Sequence, residues 1–175
     1  MTQMDLQSLA AWAQIIGAFS VAVSIIGLIV TIRQSTKFQK ALVVDSLAAA
    51  IASINVPATE SPALGLAIYK ATTNWASATR DERIMAHFFL FSYFRLAENA
   101  WYQYRAKVLD AVQWIGWDMM LRMFYYSAGV REVWWPARRH AFSPEFQAYL
   151  AQTTPPAGVG SLEDIFDYVP PGPKE

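Results

Sequence analysis

The sequence predicts an all-α fold: one N-terminal transmembrane helix that continues beyond the membrane, a small domain of about five helices, and a Pro/Gly-rich tail. Three observations carry this. Leu6–Ile32 runs for 27 residues without a charged side chain, and Arg33, Lys37 and Lys40 follow at once. Downstream, Ser, Thr and Asp stand at the heads of apolar runs with helical spacing, followed by Pro or by Glu three residues on, the mark of capped helix starts. No stretch alternates apolar and polar residues for long enough to make a strand. The chain divides into a short external N-terminus at 1–9, a transmembrane helix at 10–32, a cytoplasmic helical domain at 33–151 and an extended tail at 152–175.

Trp12–Ile32 is 21 residues, about 31 Å as an α-helix, which matches the thickness of a hydrocarbon core. A secretory signal would begin with basic residues and carry a shorter apolar core, whereas Met1-Thr2-Gln3-Met4-Asp5 is acidic. No Lys or Arg precedes the span and three follow within eight residues, so the positive-inside rule puts the N-terminus outside and the domain in the cytoplasm. Trp12 stands where an outer interfacial anchor belongs, with Arg33, Lys37 and Lys40 as the inner ones.

Ala13, Gly17, Ser20, Ser24, Gly27 and Thr31 recur at spacings of 4, 3, 4, 3 and 4, a heptad seam of small residues. Lipid gives helices no hydrophobic reason to associate, so close backbone approach has to supply the attraction, and a smooth seam permits it. A 3.5-residue repeat favours left-handed crossing near +20°. The expected partners are the lipid bilayer and, through this seam, a second copy or another membrane protein.

The first helix is expected to leave the membrane and run to Ile54, because Arg33–Ile54 lacks Gly and Pro and carries Phe38, Leu42, Leu47 and Ile51 at roughly helical spacing. Asn55-Val56-Pro57 then ends it. Ser61-Pro62 opens a short helix to about Thr72, and Thr79-Arg80-Asp81-Glu82 is a capping box for a helix to about Lys107. That helix supplies the core through Ile84, Met85, Phe88, Phe91, Phe94, Leu96, Ala97, Trp101 and Tyr104. Asp110 caps the next, with Val112, Ile115, Met119, Leu121, Met123 and Phe124, until Ser127-Ala128-Gly129 breaks it. Val130–Arg139 and Ser143-Pro144-Glu145 to Ala151 are two further short helices. Thr153–Gly160 and Pro170–Glu175 read as extended, around the acidic and apolar segment 161–169.

Absent cysteine removes disulfides, thiolate chemistry and cysteine-based metal sites. Residues 33–150 hold 13 Lys/Arg against 9 Asp/Glu. This mild excess suits an anionic leaflet and is too weak to point to nucleic acid. Arg95, Glu98, Tyr102 and Arg105 share a helical stripe and are expected to form a structural polar network around a partly buried carboxylate. The two histidines, His87 and His140, have no metal-ligand spacing, and Arg138-Arg139-His140 is a basic helix end open to lipid phosphates or acidic partners. Trp114, Trp117, Trp134 and Trp135 read as core. There is no Gly-rich phosphate loop, nucleophile elbow or paired-carboxylate arrangement, so neither a cofactor nor a catalytic residue is expected.

Arg95-Leu96-Ala97-Glu98-Asn99-Ala100-Trp101-Tyr102-Gln103-Tyr104-Arg105 with Val108-Leu109-Asp110 and Trp114 forms one distinctive block. Gly129-Val130-Arg131-Glu132-Val133-Trp134-Trp135 with Arg139-His140 and Phe142-Ser143-Pro144-Glu145-Phe146 forms another. With the span and its Ile32-Arg33-Gln34 exit, they resemble a group of small bacterial single-pass membrane-anchored proteins of unknown function, over about residues 10–150. The resemblance implies a bacterial inner-membrane location and brings no activity or catalytic residues. The expectation is a non-enzymatic interaction protein, acting as a homo-oligomer or as an accessory subunit of a larger membrane complex, respiratory or photosynthetic among the options. The alternative is a membrane-tethered sensor or enzyme with a small-molecule pocket around Glu98 and Trp114.

Overall fold

A computed structural model describes the backbone of residues 3–157 and 164, and the side chains from residue 8 onward in that set except Ile15. Among the described residues every regular element is helical. The α-helices are α1 (Gln3–Glu60), α2 (Pro62–Thr73), α3 (Arg80–Arg105), α4 (Ala111–Tyr126), α5 (Trp135–Arg138) and α6 (Pro144–Gln152). Trp75–Ser77 and Arg139–Ala141 are 3₁₀ turns, and Gly129–Trp134 is a π-helical turn. The tail and its segment 161–169 lie, beyond residue 157 and apart from Asp164, outside the described residues.

Two compact units share the chain, Met1–Leu42 and Val43–Glu175. The dividing line falls ten residues past Ile32, inside the part of α1 that the sequence assigns to the domain. In the first unit all described side chains are exposed, including Phe19, Ile25, Ile26, Leu28 and Ile32. None of its most apolar stretch is buried against protein, and α1 is long and apolar enough to cross a membrane.

In the second unit α3 packs on both α2 and α4. Its core holds Leu90, Phe94, Trp101, Leu121, Trp134, Phe146 and Leu150, with Leu47 supplied by α1. The helix starts are set locally. Ser61 accepts from Leu64 N at 3.3 Å ahead of Pro62, and Ser143 accepts from Phe146 N at 3.3 Å ahead of Pro144. Thr79 and Glu82 close a reciprocal capping box. Asp110 and Gln113 close a second, with Gln113 N donating to Oδ1 at 2.8 Å.

Three expectations need correction. The first helix does not stop at Asn55-Val56-Pro57: Pro57 lies inside α1, which runs on to Glu60. So near the helix end the proline forfeits only its own N–H, while its carbonyl still accepts from Ser61 N at 3.1 Å. The third helix ends at Arg105 rather than Lys107. There Val108 N donates to Gln103 O and Lys107 N to Tyr104 O, both at 2.9 Å, with Lys107 at φ 59. That is a Schellman closure with lysine in the left-handed position that glycine usually fills. Finally, Ile84, Phe88, Val112 and Ile115 are not core residues: they are 41%, 65%, 80% and 60% exposed, because α3 and α4 turn other stripes inward.

The segment expected as one helix over Val130–Arg139 is helical in three registers. Trp135 N donates to Val130 O, five residues back, just before Pro136. In a regular α-turn the proline ring would press on the carbonyl four residues earlier, and the wider π turn relieves that contact.

Candidate functional site

Within the first unit, α1 is regular, so Ala13, Gly17, Ser20, Ser24, Gly27 and Thr31 fall on one stripe about 80° wide at 100° per residue. All six are exposed. Their hydroxyls are satisfied within the helix: Ser20 donates to Ile16 O and Ser24 to Ser20 O at 2.8 Å, and Thr31 to Gly27 O at 3.0 Å. A Cβ added at Gly17 or Gly27 would meet nothing within 4 Å. The stripe is therefore smooth, carries no unsatisfied donor and is covered by no part of the chain that is described. Trp12, Arg33, Lys37 and Lys40 are exposed as well.

The structure divides the predicted polar stripe of α3 into two arrangements. Glu98, only 6% exposed, accepts from Arg95 Nη1 at 2.9 Å and from Ser143 N at 2.8 Å. Ser143 caps α6, so the carboxylate pins the positive end of that helix to α3. The Arg95 guanidinium lies 5.0 Å from the Phe142 ring centre. Tyr102 and Arg105 are not brought to Glu98. They flank Trp101 instead, the tyrosine ring edge-on at 4.9 Å and the guanidinium at 5.0 Å. Each carboxylate oxygen of Glu98 takes one hydrogen bond, so the group is built into the fold as the link between α3 and α6.

In a second cluster only the i,i+4 spacing of Asp118 and Arg122 was legible in the sequence. Asp118 pairs with Arg122 at 2.8 Å and accepts from the Tyr149 hydroxyl, joining α4 to α6. Burial, then this bond, pushes the Tyr149 phenol above its usual range. Arg122 also donates to Thr154 O at 3.1 Å, and Tyr126 donates to Thr153 O. Together they hold the chain just past α6 against α4.

Trp114, Trp134 and Trp135 are buried, and Trp114 stacks on Tyr104 at 5.3 Å with planes 10° apart. Neither Glu98 nor Trp114 lines the cleft that opens beside these helices. That cleft, of about 580 Å³, is lined by Leu47 and Ile51 of α1, Tyr93 of α3 and Gln113, Trp117 and Met120 of α4, among others. Tyr93 is 3% exposed, and its hydroxyl has no hydrogen-bond partner among the described residues. Burial pushes its phenol above the usual range. The cleft is mostly apolar, as small-molecule sites are, with Asn55, Gln113 and Tyr93 as its polar residues.

Among the described residues no three of His, Asp and Glu converge as metal ligands. No family model, no curated protein and no solved structure matches the chain.

Proposed function

We propose that this protein is a non-enzymatic interaction module, anchored in the bacterial inner membrane by residues 10–32, with its N-terminus outside and its helical domain in the cytoplasm. It acts by association, with itself or as an accessory subunit of a larger membrane complex. One observation carries the reading: the small-residue stripe of α1 is exposed along its whole length on a helix apolar enough to span a bilayer. In lipid such a stripe lets a second helix approach closely. The cations at 33, 37 and 40 support the orientation. The resemblance to small bacterial membrane-anchored proteins supports the location.

Gly17→Leu with Gly27→Leu tests it cleanly, because neither new side chain meets the chain's own atoms within 4 Å of the Cβ. The double variant should lose its oligomer, or its co-purifying partners, in mild detergent while keeping its helical circular dichroism. Unchanged assembly would refute association through this face.

A second reading, a tethered sensor of a small apolar molecule, draws on the Tyr93 cleft. It requires a retained compound in native preparations, detectable by mass spectrometry and lost in Ala48→Trp, an exposed cleft residue whose new indole would occupy the space.

A further inference from the structure

We propose that a second cleft in the helical domain binds an amphipathic anion: a phosphate or carboxylate group attached to an apolar body. This goes beyond the anchoring role and does not depend on it. The cleft, about 540 Å³, is assembled from four elements. The 3₁₀ turn after α2 gives Trp75, and α3 gives Arg80, Arg83, Ile84, His87 and Phe88. The π turn gives Val133 and Trp134, and α5 gives Ala137 and Arg138.

Its charge is one-signed. Three arginines and a histidine line it and no carboxylate does. None of Arg80, Arg83 and Arg138 forms a salt bridge among the described residues. Two acids stand beside them in sequence: Glu82 is already engaged, taking Lys70 at 2.7 Å and the Thr79 N–H at 2.7 Å, and Asp81 is not part of the cleft lining. These contacts, the Lys70 bond first, hold the Glu82 carboxyl below the usual range. Three arginines around an apolar cleft give it a positive potential, and their planar forks suit phosphate and carboxylate oxygens.

His87 adds a directed donor. Trp134 Nε1 donates to His87 Nδ1 at 3.1 Å, so the neutral ring carries its proton on Nε2. Burial, then the charge of Arg138, lowers the histidine's pKa and favours that neutral form. The rest of the lining is apolar, and Phe88 and Ile84 stand 65% and 41% exposed beside the cations. Inorganic phosphate would leave that surface wet, whereas a ligand with a hydrocarbon or aromatic body covers it. A lipid headgroup and a free organic anion share this chemistry.

The test uses the full chain in zwitterionic nanodiscs, titrated calorimetrically with phenyl phosphate, inorganic phosphate and benzyl alcohol. Phenyl phosphate should bind saturably and about tenfold or more tightly than either other probe. Arg83→Gln with Arg138→Gln should weaken it by about tenfold or more, since each lost charge-assisted bond counts. Should that pair misfold, Phe88→Ala, an exposed site, should weaken phenyl phosphate and leave inorganic phosphate unchanged. Discs doped with phosphatidic acid separate the sources: lost phenyl phosphate binding assigns the site to a lipid headgroup, and retained binding to a free anion. Equal binding of benzyl alcohol, or undiminished binding by a folded arginine variant, would overturn the proposal.

Discussion

Glu98 shows what a buried charge costs and what it can hold. Removing the carboxylate strands the Ser143 N–H, while the half-exposed Arg95 guanidinium loses its partner but keeps water. Glu98→Ala should therefore lower stability by about 2–3 kcal/mol, while Glu98→Gln, which keeps an acceptor for Ser143, should lose about 1. Denaturant unfolding of both variants checks the order, and equal losses would mean the Ser143 bond carries nothing. His87 titrates in the opposite sense to a paired histidine. Its folded pKa lies below the unfolded value of 6.5, so below that pH the unfolded chain takes up a proton that the folded one refuses. Stability should hold above about 6.5 and fall on acidification down to the lowered folded value. His87→Gln should flatten this acid limb in unfolding midpoints measured from pH 8 to 5; an unchanged slope would remove His87 as its cause. Residue type alone marked Glu98 as needing partners. It did not name Ser143, 45 positions away, because that bond exists only once α6 has docked. The Trp134–His87 bond was illegible for the same reason, spanning 47 positions.

At the scale of elements, legibility follows how local the cause is. Ser61-Pro62, Thr79 with Glu82, Asp110 and Ser143-Pro144 announce helix starts because the capping partner sits within three residues. Helix ends were harder. Pro57 looked like a stop, yet one forfeited bond near the end of a helix does not dismantle it. The closure at Lys107 lacks the glycine that would have advertised it. Gly129 read as a helix breaker, and its deeper reason is tertiary. A Cβ there would lie 1.9 Å from Ala71 O and 3.1 Å from Thr72 O, so the π turn sits directly on the backbone of α2. Backbone cannot rotate aside as a side chain can. Gly129→Ala should cost about 3 kcal/mol or more, at the upper end of overpacking penalties. A Gly116→Ala control, inside α4 where the added Cβ meets nothing within 4 Å, should be neutral to stabilising by up to about 1 kcal/mol, since alanine is the better helix former. Comparable losses in the two variants would show that the close approach is not what position 129 requires.

For the whole molecule, the apolar face of α1 changes its meaning along the chain. The first unit leaves its large apolar side chains exposed, and that pattern was plain in composition alone. In the second unit the same helix turns Leu47 inward, 3% exposed, with Val43, Val44, Ile51 and Ala58 packed on the core. The charges at 33, 37 and 40 mark where the span ends, but hydropathy does not show which residues beyond them pack inward. The consequence is a sharp dependence on where the chain is cut. A fragment 43–175 retains every buried contact of its unit and should fold cooperatively without detergent. A fragment 61–175 loses Leu47 and its neighbours, about 2–3 kcal/mol for the leucine alone, and uncovers the apolar floor of the Tyr93 cleft. It should aggregate or melt at least several degrees lower, as followed by light scattering and circular dichroism. Equal behaviour of the two fragments would mean that residues 43–60 belong to the anchor rather than to the domain, and the Tyr93 cleft would then lose one of its walls.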